Sequence, residues 1–157
     1  FPSWLSRVRI SSPAPVYRCI FAAAGRGQLM SIGVWKPSTA VPLTTAQLST
    51  LLELLPEAML DNLDDLDVSD FQAYRSWMKT EAALWQSAED LDAQAKHQLI
   101  RFFTLAERDW VGWDAGKTSP VIALVASLKR MDQFDPEFRR WIKSHTDNRY
   151  LPNGAVL

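Results

Sequence analysis

The stretch Pro120-Val121-Ile122-Ala123-Leu124-Val125-Ala126-Ser127-Leu128-Lys129-Arg130-Met131 decides the architecture. Pro120 suits a first helical position, where no amide donor is needed, and Ser119 before it is a cap residue. Val121, Leu124, Val125 and Leu128 recur at helical spacing. Ile122, Ala123 and Ala126 make the rest of the surface apolar until Lys129. A helix apolar almost all round must be enclosed by neighbours, so it predicts an all-α fold built around a buried central helix. Leu124 and Leu128 are its predicted innermost residues.

Working outward, the chain supplies those neighbours. Thr44 and Gln47 form a capping box ahead of the stripe Leu48, Leu51, Leu52, Leu55, which Pro56 ends. A short helical turn is predicted over 56–63, then an acidic irregular stretch from Asn62 to Asp70. Ser69 and Gln72 read as a second capping box for a helix carrying Phe71, Tyr74, Trp77 and Met78. Thr80 reads as the cap of a short helix with Leu84, Trp85 and Ala88. The longest helix is predicted from about Leu91 to Asp109, with Ala95, Leu99, Phe102, Phe103, Ala106 and Trp110 on one face. Asp135-Pro136-Glu137 combines a cap, a first-turn proline and a first-turn acid, and so starts a last helix with Phe138, Trp141, Ile142 and His145 on one face. The expected fold is a single small bundle of about six helices with an extended N-terminal arm.

The chain has 157 residues, 47% of them hydrophobic, which suits one domain with a packed core. No apolar run reaches the roughly 18 residues that a membrane span needs. Cys19 is the only cysteine, which excludes a disulfide within the chain and a cysteine zinc site.

Residues 1–29 differ from the rest. They carry Arg7, Arg9, Arg18 and Arg26 and no acid, whereas residues 30–157 hold 13 bases and 18 acids. Ser6 to Pro15 resemble the translated 3′ end of a tRNA gene. Val8-Arg9-Ile10 can be encoded by GTT CGA ATC, a T-loop sequence, and Ala14-Pro15 by GCA CCA, a discriminator base and CCA end. The spacing between the two matches as well. Arg26-Gly27 fits a ribosome-binding sequence ahead of Met30. On this reading residues 1–29 are upstream read-through, 30–43 are an arm in which Trp35 docks on the body, and 44–157 are the helical domain. The rival is a basic organellar presequence, but Pro2, Pro13 and Pro15 would break the helix such peptides form. A start at Met30 implies no cysteine, no targeting segment and a cytoplasmic protein.

Two motifs fail on inspection. Gly112-Trp113-Asp114-Ala115-Gly116-Lys117-Thr118 is one residue short of a phosphate-binding loop and follows a helix, not a strand. Asp61, Asp64, Asp65, Asp67 and Asp70 suggest calcium, yet a loop begun at Asp65 puts Asp70 where glycine is required and Ser76 where a bidentate Glu belongs. Neither a metal nor any other cofactor is expected. His97 should lie on the surface opposite the Leu99–Phe103 stripe, and His145 should cap the last helix.

Charge is segregated: residues 53–92 hold eleven acids and two bases, residues 93–157 seven acids and ten bases. Arg139, Arg140, Lys143 and Arg149 concentrate the positive side. Tryptophan is in excess, and Trp113, beside Gly112 in a loop, is the one expected to be exposed. Two helices joined by a short connection run antiparallel. The start of the central helix therefore lies near the end of the last one. That gathers Trp113, Lys117, His145, Asp147, Arg149 and Tyr150 at one end of the bundle as a candidate binding face. The leading expectation is a protein-binding or regulatory module with an unknown protein partner. The rivals are a nucleic-acid binder using the Arg139–Arg149 patch, and a small enzyme with a site near His145, Asp147 and Arg149.

Overall fold

The computed structural model describes residues 41–56, 58 and 60–154, all within the compact unit Ser38–Leu157. The expectations about the start site and Trp35 lie outside them. The described residues are all-α, with no strand among them. Helix α1 spans Thr45–Leu54, and its Thr44–Gln47 capping box is complete. Helix α2 is a single turn, Val68–Phe71, that tightens into a 3-10 helix over Gln72–Lys79; a second 3-10 helix runs Ala82–Asp90. Helix α3 spans Ala93–Asp109, α4 Pro120–Arg130 and α5 Pro136–Ser144, with a short 3-10 turn at Gly116–Thr118 between the first two.

Several helix starts differ from the sequence reading, for local reasons. Asp67, not Ser69, caps α2: its carboxylate accepts from both the amide and the hydroxyl of Ser69. Those hydrogen bonds hold its pKa below the ordinary carboxylate value. Thr80 caps nothing; its hydroxyl donates back to Ser76 O at 3.3 Å, a bond within the preceding helix. Ser119 makes no cap hydrogen bond because its hydroxyl is drawn to Glu107 Oε2 at 3.2 Å. No helical turn occurs among the described residues of 56–63. Asp92 and Asp135 cap α3 and α5 through the amides of Ala95 and Phe138.

Helix α4 is central. It packs chiefly on α3 and on the second 3-10 helix, and Val121, Leu124, Val125 and Leu128 are buried. Leu99, Ile100, Phe102, Phe103 and Leu105 on α3 and Leu48 and Leu51 on α1 complete the core. Burying each such side chain is worth about 1.5–3 kcal/mol relative to exposure. The C-terminal tail follows α4: Asn148 meets Gly116 O just before the helix, and Asn153 meets Lys129 Nζ in its last turn.

Aromatic residues form two groups. One threads the core through edge-on and tilted contacts, from Tyr74, Trp77, Trp85 and Phe103 to Phe102, Trp110 and Trp113. The other attaches α5 to α3. His97 lies 4.4 Å from Phe138, centroid to centroid, and the Arg101 guanidinium sits 4.2 Å above Trp141, whose ring also stacks on His145. His97 is therefore not the surface residue its helical position suggested: α5 folds over that side of α3. Burial lowers the pKa of its imidazole, and Nε2 has no partner among the described residues.

Candidate functional site

At the end of α3 the chain must reverse to begin α4, and Gly112 makes that reversal possible. Its φ of +79° lies in the left-handed region that glycine adopts without strain. Arg75 Nε anchors the turn by donating to Gly112 O at 2.8 Å. The reversal throws Val111 outward, 98% exposed, and folds Trp113 inward, fully buried. Trp113 packs edge-on against Trp110 and Phe102, with ring centroids 4.9 and 6.0 Å away. This corrects the expectation that Trp113 is an exposed anchor. A loop position beside glycine says nothing about which way the indole turns, and the aromatic cluster beneath offers apolar surface to bury.

Beyond Gly112, one carboxylate gathers four donors of the loop and its neighbours. Glu107 lies one turn beyond Phe103 on the edge of the buried stripe of α3. Its Oε1 accepts from Ala115 N at 2.9 Å, Gly116 N at 3.0 Å and Asn148 Nδ2 at 2.8 Å, while Oε2 accepts from Ser119 Oγ. Asn148 Nδ2 also donates to Gly116 O at 2.9 Å, and its Oδ1 accepts from Tyr150 N. Glu107 and Asn148 thus tie the loop before α4 to the segment after α5.

Between those two segments opens a cleft of about 350 Å³. Glu107, Gly116 and Asn148 form part of its lining, and Thr146, Asp147, Arg149, Asp114 and Arg108 complete it. Arg108 is held in place by Asp109, two contacts of 2.6 and 2.8 Å. That bond, with the attraction of Asp147, raises its pKa further. Among the described residues Arg149 reaches its neighbour alone, donating to Tyr150 Oη and lying 5.0 Å over that ring. Asp114 is exposed and makes no hydrogen bond or ion pair among the described residues. The cleft therefore presents charge of both signs on a fixed backbone.

Of the six residues the sequence nominated, Asp147 and Arg149 line this cleft. Trp113 lies buried, and Lys117 is exposed on the adjoining turn without lining the cleft. Tyr150 braces Arg149, and His145 faces the other way, its Nδ1 within 2.8 Å of Trp141 O at the end of α5. Glu107, Asp114 and Asn148 were missed. Glu107 did leave a trace: a carboxylate four residues beyond a core phenylalanine needs partners if the helix is to stay packed. Asn148 left none.

Comparison with known proteins finds no matching family model, no matching curated relative and no matching solved structure. Among the described residues no cluster of His, Cys, Asp and Glu is arranged to hold a metal ion. No described helix is long and apolar enough to cross a membrane.

Proposed function

We propose that this chain is a cytoplasmic protein-binding module, and that the cleft between the Gly112–Ser119 loop and the Thr146–Tyr150 segment receives a charged segment of its partner. One observation carries the reading. Asp114 and Arg149 stand on a backbone fixed by Glu107 and Asn148, yet neither forms an ion pair within the described chain. A preorganised site loses little ordering entropy on binding, so its charges can serve recognition of a complementary segment.

The nucleic-acid reading draws support from the exposed Arg139 and Lys143 on α5, which make no ion pair among the described residues. It ranks second because residues 30–157 carry more acids than bases, a poor field for a polyanion. The enzyme reading near His145, Asp147 and Arg149 loses its geometry, since His145 points away from the cleft that the other two line.

The test is capture from the native host with a chain beginning at Met30, followed by affinity measurement with the partner identified. Asp114→Asn and Arg149→Ala should each weaken binding about tenfold, as interfacial charge losses do, while the unfolding midpoint stays put. Equal affinity in both variants would sink the cleft as the binding face. Retention of an oligonucleotide with affinity falling steeply as salt rises would favour the second reading.

A further inference from the structure

Lys96 is the only charged side chain among the described residues that is fully buried. It sits in the first turns of α3, beneath the end of α4. Its ammonium donates to Glu89 O at 3.1 Å and to Met131 Sδ at 2.9 Å, its two hydrogen bonds among the described residues. The Glu89 carboxylate is engaged elsewhere, by Arg130 at 2.7 Å. An ammonium carries three donors, and a thioether is a weak acceptor. The buried charge is thus left short of good acceptors at one defined point, the sulfur of Met131. Burial pulls the amine's pKa down, against the attraction of nearby Glu89.

Met131 is exposed for the opposite reason. It ends α4, its amide returning to the carbonyls of Ser127 and Leu128, and the residue is 40% exposed. Met131 is therefore a surface residue whose sulfur touches a buried ammonium. Met78, in contrast, is 1% exposed.

We propose that Met131 is a site of sulfoxidation by hydrogen peroxide or an alkyl hydroperoxide, and that the Lys96 ammonium receives the sulfoxide oxygen. A sulfur lone pair attacks the outer peroxide oxygen; the S–O bond forms as the O–O bond breaks. The sulfur loses two electrons, the peroxide gains them, and the proton of the transferred oxygen passes to the departing hydroxide or alkoxide, giving water or an alcohol. Sulfoxidation of a buried methionine usually disrupts packing, because it puts a polar oxygen among apolar groups. Here the polar oxygen arrives beside a charged donor that has one carbonyl acceptor, Glu89 O, and at its second position only a thioether. Oxidation fastens the end of α4 to the start of α3.

The test treats the folded full chain with hydrogen peroxide, maps the oxidised peptides by mass spectrometry and compares unfolding midpoints. Met131 should convert while Met78 stays a thioether. Oxidation should raise the midpoint by about 2–4 °C, the shift expected for one improved hydrogen bond to a charge in a chain of this size. An oxidised Met131→Leu protein sets the background from the remaining methionines. Met131→Gln places an amide oxygen at similar reach and should raise the midpoint with no oxidant, whereas Met131→Leu should lower it. Lys96→Met should turn the effect of oxidation into a loss; should that variant not fold, the Gln and Leu pair decides. Failure of Met131 to oxidise where a free methionine amide does, or a lowered midpoint in both the oxidised protein and Met131→Gln, would overturn the proposal.

Discussion

Removing the Glu107 carboxylate should release the loop that shapes the cleft. In Glu107→Ala four donors lose their acceptor: the amides of Ala115 and Gly116, the Asn148 side chain and the Ser119 hydroxyl. At about 1.5–3 kcal/mol for each hydrogen bond to a charge, a simple sum gives about 6–12 kcal/mol. The real loss is smaller, because Glu107 borders an open cleft from which water can reach the freed amides, and Asn148 keeps its bond to Gly116 O. A loss of about 2–4 kcal/mol is expected. Glu107→Gln is the informative control. Its amide oxygen can take the place of Oε1 and keep three donors, while its NH2 group faces Ser119 Oγ, a hydroxyl that can turn and accept. Only the charge is lost, so the cost should be about 1 kcal/mol. Urea unfolding of wild type and both variants measures this, with unchanged denaturant slopes as the check that neither end state has altered. Hydrogen exchange at Ala115 and Gly116 should quicken in the alanine variant alone. Equal losses in Gln and Ala, or less than about 1 kcal/mol for Ala, would refute the carboxylate as the tie between the two segments.

Two further outcomes follow from the core and from α5. Leu124→Ala empties a fully buried site on the central helix and should cost about 2–5 kcal/mol in the same assay; a loss below about 1 kcal/mol would contradict its central packing. The His97 imidazole has its pKa lowered below 6.5 by burial, so as pH falls through that value the unfolded chain takes up a proton before the folded one does. Its contribution is therefore intact above pH 6.5 and lost progressively below it. His97→Gln should flatten the fall in unfolding free energy between about pH 7 and 5, and identical slopes in the two proteins would rule this out.

Much of the fold was legible because it rests on local chemistry. The Thr44–Gln47 box and Asp135 cap helices as their spacing implies, and the apolar run from Val121 to Leu128 becomes the enclosed helix. Asp67 and Ser119 escaped a local reading for opposite reasons. Asp67 caps two residues earlier than Ser69 would, by an aspartate turn as local as the expected one. Ser119 has the right residue type but spends its hydroxyl on Glu107, twelve residues back.

The sequence by itself determined the all-α class, the central helix and the meeting of the loop before α4 with the segment after α5. Each depends on helical periodicity or on the short connection that makes neighbouring helices antiparallel. Only the tertiary structure decided which side chains at that end face water. Trp113 turns inward because Gly112 reverses the chain over an aromatic cluster of Phe102 and Trp110 from α3 and its end, backed by Phe71 of α2. His97 is covered because α5 lays Phe138 on it. Glu107 meets Asn148 across 41 residues. Side-chain direction in a loop, and the partners of a buried polar group, are set by whatever surface packing brings opposite. No spacing within one segment encodes that surface.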